Sequence, residues 1–306
     1  MGVGHGHGHQ GASPAHAGAR HRWRLACSFA LIAVFFVVEL VTGILSGSLA
    51  LISDAGHMAA DVVALGAALV ATKIATRADS TGRRTYGSYR AEVFASGLAV
   101  LLMLGVSAYV VLEAVRRIGA EPHVDAGPML LVGGLGLVVN LIALLLLRAG
   151  AKDSLNVRGA YLEVVADTAG SVGVLVAGVL VSTTGDGWWD TAVAFAIGAF
   201  VAVRAVMLGR EVLAVLGQHV PVGVDIDAVT GALAAVPGVC DVHDLHVWTL
   251  TSGMHVATAH LVLAEGADAD AALVAGQAVL RDEHAIEHAT LQVEGHRSAA
   301  CDAVTW

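Results

Sequence analysis

Six apolar segments, each close to the ~20 residues that cross a bilayer as a helix, constrain this chain more than anything else in it. They fall at about 25–45, 48–72, 91–115, 127–147, 159–182 and 188–208. In hydrocarbon every backbone N–H and C=O needs an internal partner, so segments of this length must be helices. The connections at 73–90, 116–126, 148–158 and 183–187 are short and mostly polar, and Leu45-Ser46-Gly47-Ser48 makes a tight turn between the first two segments. Only 14% of the residues are charged, against about 25% in soluble domains. A multi-pass membrane protein is expected. The first segment is too long for a cleavable leader and reads as a span.

Charge gives the orientation. With the N-terminus inside, thirteen of the fifteen Lys and Arg residues before position 211 fall on the inner side, and only Arg116 and Arg117 fall outside. That asymmetry predicts that both termini are cytoplasmic, in the cell (inner) membrane. Residues 1–24 alternate Gly and His (His5, His7, His9) and cannot bury a core, so they are expected to be a disordered cytoplasmic tail. Residues 25–210 form the six-span domain. Residues 211–306 change character: they hold 13 acidic residues against Arg281 and Arg297, a balance of −11 within a chain total of −9. So acidic a tail argues against nucleic acid and suits cations. Cys27, Cys240 and Cys301 are far apart, with no CxxC, and imply neither a disulfide framework nor a thiolate site.

The second span is apolar enough for lipid yet carries Asp54, His57 and Asp61. At i, i+3 and i+7 they share one helix face, with His57 and Asp61 one turn apart. Ionisable groups in a bilayer are costly and face a bundle interior or a watered path. The fifth span repeats the design with Glu163 and Asp167 at i,i+4. Two such half-sites, His57 with Asp61 and Glu163 with Asp167, make one four-ligand cation site. Small residues on the fifth span (Gly170, Ser171, Ala177) and the sixth (Ala194, Gly198) permit close helix approach. Glu39, Glu92, Glu113 and Asn140 read as inter-helix or interfacial hydrogen-bonding groups rather than ligands.

The C-terminal portion reads as a helix at 225–236, a strand at 239–250, a strand at 254–264, a helix at 268–284 and a strand at 288–294. That α-β-β-α-β order fits a small α+β ferredoxin-like sandwich with its helices on one sheet face. In the second helix Leu273, Val274, Ala278 and Leu280 are expected to point inward. His243 and His246 lie on the first strand and His260 on its neighbour, while Gln292 and Glu294 alternate on the last. A second metal site is expected there.

These motifs resemble those of the cation diffusion facilitator family, in its cobalt–zinc–cadmium resistance and zinc transporter branch. The matching runs are Ser48-Leu49-Ala50-Leu51-Ile52-Ser53-Asp54-Ala55-Gly56-His57 with Asp61, Tyr86-Gly87-Ser88-Tyr89-Arg90-Ala91-Glu92, Tyr161-Leu162-Glu163 with Asp167-Thr168-Ala169-Gly170, and Asp244-Leu245-His246-Val247-Trp248. The resemblance implies a homodimer of six-span protomers exchanging cytoplasmic metal for protons, with a transport site at His57, Asp61, Glu163 and Asp167. It further implies regulatory metal at His243, His260, Gln292 and Glu294. Arg84 and Ser88 stand where some members have His ligands, which argues against a metal site in that loop. The loop 149–158 lacks the His often found there, and the N-terminal tract is a candidate replacement.

The reading is a Zn²⁺ efflux transporter, with Co²⁺ or Cd²⁺ as further cargo, working by metal/proton antiport. One nitrogen and three carboxylates suit a borderline cation that tolerates tetrahedral geometry. A passive divalent-cation channel and an uptake carrier are the alternatives. An intramembrane metalloenzyme would need HExxH or an equivalent, which the six apolar segments lack.

Overall fold

The computed structural model describes residues 14–74, 85–87, 89–120, 122–148, 155–251 and 253–295, apart from the side chains of 14–28, 64, 65, 67–74, 146, 147, 155–160, 162 and 163. Six long helices come first: α1 (Pro14–Ser46), α2 (Leu49–Ile74), α3 (Arg90–Arg116), α4 (Ala126–Arg148), α5 (Leu155–Thr184) and α6 (Trp188–Leu216). Among the described residues five of them are long and apolar enough to cross a membrane. The remaining one, α2, is 26 residues long and carries the buried Asp54 and His57. Then follow α7 (Ile226–Ala234), β1 (Val239–Thr251), β2 (Met254–Leu263), α8 (Ala269–His284) and β3 (His288–Glu294).

Two boundaries differ from the expectation. Helix α1 begins at Pro14, so residues 14–24 are helical rather than disordered; residues 1–13 lie outside the described residues. The Gly/His alternation stops by Gly11, and beyond it Pro14 and Ala15, Ala17 and Ala19 supply a favoured first helical residue and good helix formers. Helix α6 runs on to Leu216, across the boundary expected at 210, because it tolerates Gly209 in its interior and no Pro stops it before Gly217.

By packing, the chain forms two compact units, Met1–Leu69 with Leu98–Ala205, and Val70–Gly97 with Val206–Trp306. In the first, Phe35, Leu49, Leu51, Met58, Val110, Met129 and Val174 build a core between helices. Large apolar side chains such as Leu101, Leu131, Leu145 and Phe200 point outward, as they should where the solvent is lipid. Two glycines matter to this packing. Gly47 adopts φ +69° in the turn between α1 and α2, beside the carbonyl of His123. Gly170 lets α5 approach α2 so closely that an added Cβ would stand 2.7 Å from Asp54 Oδ1.

In the second unit β1 pairs antiparallel with β2, and β2 parallel with β3. Val229 and Leu233 of α7 and Leu280 of α8 pack with Val247, Ala257, Leu261 and Leu291 on one sheet face. Each such large apolar side chain contributes about 1.5–3 kcal/mol when fully buried. Asp225 caps α7 by accepting from the amides of Asp227 and Ala228, and Asp268 caps α8 by accepting from Asp270 and Ala271. On α8 the buried residues are Ala272, Gly276 and Leu280. Val274 is instead exposed, because it lies about 200° around the helix from Ala272 at 100° per residue.

Candidate metal centres

The first centre is set by where α2 begins. Ser48 Oγ donates to Asp190 Oδ1 at 2.6 Å, and the amides of Leu49 and Ala50 donate to the same carboxylate at 2.7 and 3.1 Å. Asp190 is fully buried at the start of α6, so it satisfies orphan N–H groups of α2 from another helix. Arg117 reaches it at 3.6 Å and donates to the carbonyl of Gly47 at 3.2 Å. The sequence reading passed over Asp190. Its signal was a carboxylate inside the first turn of an apolar segment, next to no cation in sequence.

From that fixed start, two turns bring His57 and then Asp61 round to α5. His57 Nε2 lies 3.0 Å from Asp167 Oδ1 and 3.9 Å from Asp61 Oδ2. One ligand atom from each of His57, Asp61 and Asp167 can be chosen so that all three lie within 4.8 Å of one another. That spacing fits donor atoms about 2.0–2.2 Å from one central ion. Helix α5 also carries Glu163, whose side chain lies outside the described residues. The fourth charged group at this centre went unassigned in the sequence: Arg204 of α6, whose Nη1 is 2.9 Å from His57 Nε2. It had been placed with the inner-side charges. A guanidinium in an apolar helix, in a chain with acidic spans, was signal enough to look for a partner.

The other polar groups of the spans sort as hydrogen-bonding groups. Asn140 Nδ2 donates to Ser171 Oγ at 3.2 Å, joining α4 to α5. Glu113 pairs with Arg117 at 3.4 Å, and Glu92 accepts from Thr251 Oγ1 at 3.0 Å. Glu39 is buried with Oε2 unpartnered, its carboxyl group facing that of Asp54.

The second centre is on the sheet face opposite α7 and α8. Register places His243 beside His260, and His260 beside Gln292, across three strands. His260 Nδ1 is 3.0 Å and His243 Nε2 3.8 Å from the Glu294 carboxylate. The rings of His243 and His260 meet edge to face, with centroids 5.1 Å apart. Gln292 Nε2 donates to Glu294 Oε1 at 2.7 Å, so Gln292 is in place beside the carboxylate. Both ring nitrogens of His243 are buried without a hydrogen-bond partner. His246 is separated from this group by a bulge: residues 244 and 245 of β1 face one residue of β2, and Asp244 takes φ +53°. His246 pairs instead with Asp244 at 3.0 Å. His255 meets Thr249, and the rings of His288 and Tyr86 meet edge to face. His296 lies outside the described residues.

Residues 25–216 match the sequence model described as the cation efflux transmembrane domain, and 221–296 the one described as the cation efflux protein, cytoplasmic domain. The metal cation efflux system protein CzcD of Cupriavidus metallidurans is 40% identical over 295 residues, covering 96% of this chain and 90% of that one. The cadmium, cobalt and zinc/H(+)-K(+) antiporter of Bacillus subtilis is 32% identical over 278 residues, 88% of each chain. The zinc transporter ZitB of Escherichia coli is 35% identical over 273 residues, 89% of this chain and 87% of that one.

Proposed function

The chain belongs to the cation efflux family, and from that premise we propose that it exports Zn²⁺, with Co²⁺ and Cd²⁺ as further cargo, in exchange for protons. The observation that carries the reading is the convergence of His57, Asp61 and Asp167 within 4.8 Å, inside a bundle of apolar helices. Glu163, one turn before Asp167 on α5, is the fourth ligand of this reading. One imidazole and three carboxylates make a site for a borderline divalent cation. Relatives named as zinc transporters and as a cadmium, cobalt and zinc antiporter support that choice of cargo.

The chemistry follows from the ligands. Metal binds neutral imidazole and ionised carboxylate, so any protons the empty site carries leave as the cation arrives. When the site opens to the other side, protons entering it displace the cation, and the protonated carrier returns. The protein is a multi-pass membrane protein. In this reading it sits in the inner membrane with both termini cytoplasmic and works as a homodimer joined through residues 211–306. Regulatory Zn²⁺ is held by His243, His260, Gln292 and Glu294. The geometry of His260 and Glu294, 3.0 Å apart, supports the second site.

Flux in proteoliposomes tests the proposal. Zn²⁺ movement is expected to accelerate under an opposed proton gradient. Flux indifferent to an imposed gradient would make the protein a passive channel, and flux driven the other way an uptake carrier.

A further inference from the structure

We infer that Arg204 is a tethered counter-cation of the transport site: it holds the coordinating face of His57 when no cargo is bound, and the arriving metal displaces it. This rests on the transport reading above and adds to it the identity of what the metal competes with.

The geometry turns on one atom. His57 Nε2 is the nitrogen that faces both carboxylates, 3.0 Å from Asp167 Oδ1 and 3.9 Å from Asp61 Oδ2. It is also the nitrogen 2.9 Å from Arg204 Nη1. A guanidinium only donates hydrogen bonds, so Nε2 accepts from it with its single lone pair. A lone pair engaged this way cannot ligate a metal. A metal about 2.0–2.1 Å from Nε2 would in turn occupy the ground of the guanidinium. The two cations therefore exclude one another.

Two buried atoms show what this arrangement leaves undone. With its lone pair given to Arg204, Nε2 has no proton for Asp167, and Asp167 Oδ1 has no hydrogen-bond partner despite lying 3.0 Å away. The ring proton is left on Nδ1, which is also buried and unpartnered. A divalent cation between Nε2 and Oδ1 would satisfy the oxygen as the guanidinium does not. The guanidinium nevertheless keeps a positive charge against two carboxylates in an apolar bundle, where like charges alone are costly. Because arginine stays charged at any working pH, its charge adds to that of any protons the carboxylates take up and does not itself titrate.

An unloaded carrier needs this charge; a loaded one does not. The two conditions separate in transport assays. Net flux requires the unloaded site to reorient, whereas exchange of Zn²⁺ for isotopic Zn²⁺ moves only loaded sites. Arg204→Gln removes the competitor and the counter-charge together. If the guanidinium holds Nε2 nine-tenths of the time, its removal tightens apparent Zn²⁺ binding about tenfold. The purified full-length variant is then expected to bind Zn²⁺ about tenfold tighter, to exchange isotope within about twofold of the unsubstituted protein, and to lose most of its net flux. Arg204→Lys keeps the charge without the planar fork and is expected to restore part of the net flux. Weaker Zn²⁺ binding by Arg204→Gln, or exchange and net flux falling together in both variants, would overturn the inference. Unsubstituted protein that moves no Zn²⁺ in either assay would overturn the transport reading itself.

Discussion

The cluster at His57 and the cluster at His260 use the same side-chain types in inverse proportion. The first has one imidazole and two carboxylates on α2 and α5. The second has two imidazoles and one carboxylate across β1, β2 and β3, with Gln292 bonded to the carboxylate. The first also has a guanidinium pressed against its histidine. The second is held by strand register, so its spacing is fixed by a hydrogen-bonded sheet. The first depends on how two helices lie against each other. A group that must capture and release an ion gains from ligands on separately movable helices. A group that must only register the presence of an ion gains from a rigid frame and from softer nitrogen donors.

Substitutions can break this contrast, and the largest effect belongs to the helical cluster. Outer-shell partners of a metal already cost about 10–100-fold in affinity. Asp167→Ala, which removes a proposed ligand, should therefore reduce Zn²⁺ transport in vesicles by at least about 100-fold. Zn²⁺ bound at the sheet cluster should be unaltered by the same change, and titration of the purified protein checks it. His260→Ala should do the converse: one Zn²⁺ fewer per chain in that titration, with the flux of the saturated carrier within about threefold, as expected of a site outside the transport path. Equal loss of flux in both variants would erase the distinction between carrying and registering.

The next effect is mechanical. Gly170→Ala puts a methyl group 2.7 Å from Asp54 Oδ1, whereas Gly276→Ala meets the flexible end of Leu291 at 2.9 Å. Overpacking costs about 1–3 kcal/mol. For Gly170→Ala the strain should appear as a several-fold loss of flux if the proposed site works by movement of α2 against α5; for Gly276→Ala it should appear only as a lower Tm. The smallest effect is Asp268→Ala, which removes the N-cap of α8 and should lower stability by about 1 kcal/mol in thermal unfolding, with metal binding and flux unchanged.

The six long helices and the αββαβ order were legible because hydrophobic length and alternation are local signals. His57 with Asp61, and Asp167, were legible because i,i+4 spacing is a helix property and charges inside apolar runs are rare. What was not legible depended on contacts between distant segments. Asp190 caps a helix 140 residues earlier in the chain, and nothing in the neighbourhood of either residue announces the other. Arg204 was read by charge alone, as a topological marker, when the same charge in an apolar helix also demanded a partner. The bulge at Asp244 escaped because it shows only in the pairing of β1 with β2. With strict alternation His246 would point to the other face from His243; one extra residue there returns it to the same face, opposite Thr258 rather than beside His260. Val274 shows the same limit on a helix, where choosing a face from four apolar residues picked one that points outward.

The clip at Asp190 has a geometric consequence. It holds α2 at Leu49 and Ala50, and each helical residue advances about 1.5 Å, so His57 stands about 12 Å and Asp61 about 18 Å along the arm from that anchor. A tilt of about 5° about the anchor would carry the first by about 1 Å and the second by about 1.5 Å relative to α5. Metal–ligand distances tolerate only about 0.2 Å. The proposed ligands of α2 thus stand partway along a lever whose fulcrum is a buried carboxylate, and a tolerance of about 0.2 Å corresponds to about 1° of its angle. Asp190 stands outside the cluster of His57, Asp61 and Asp167, yet it sets the zero of the scale.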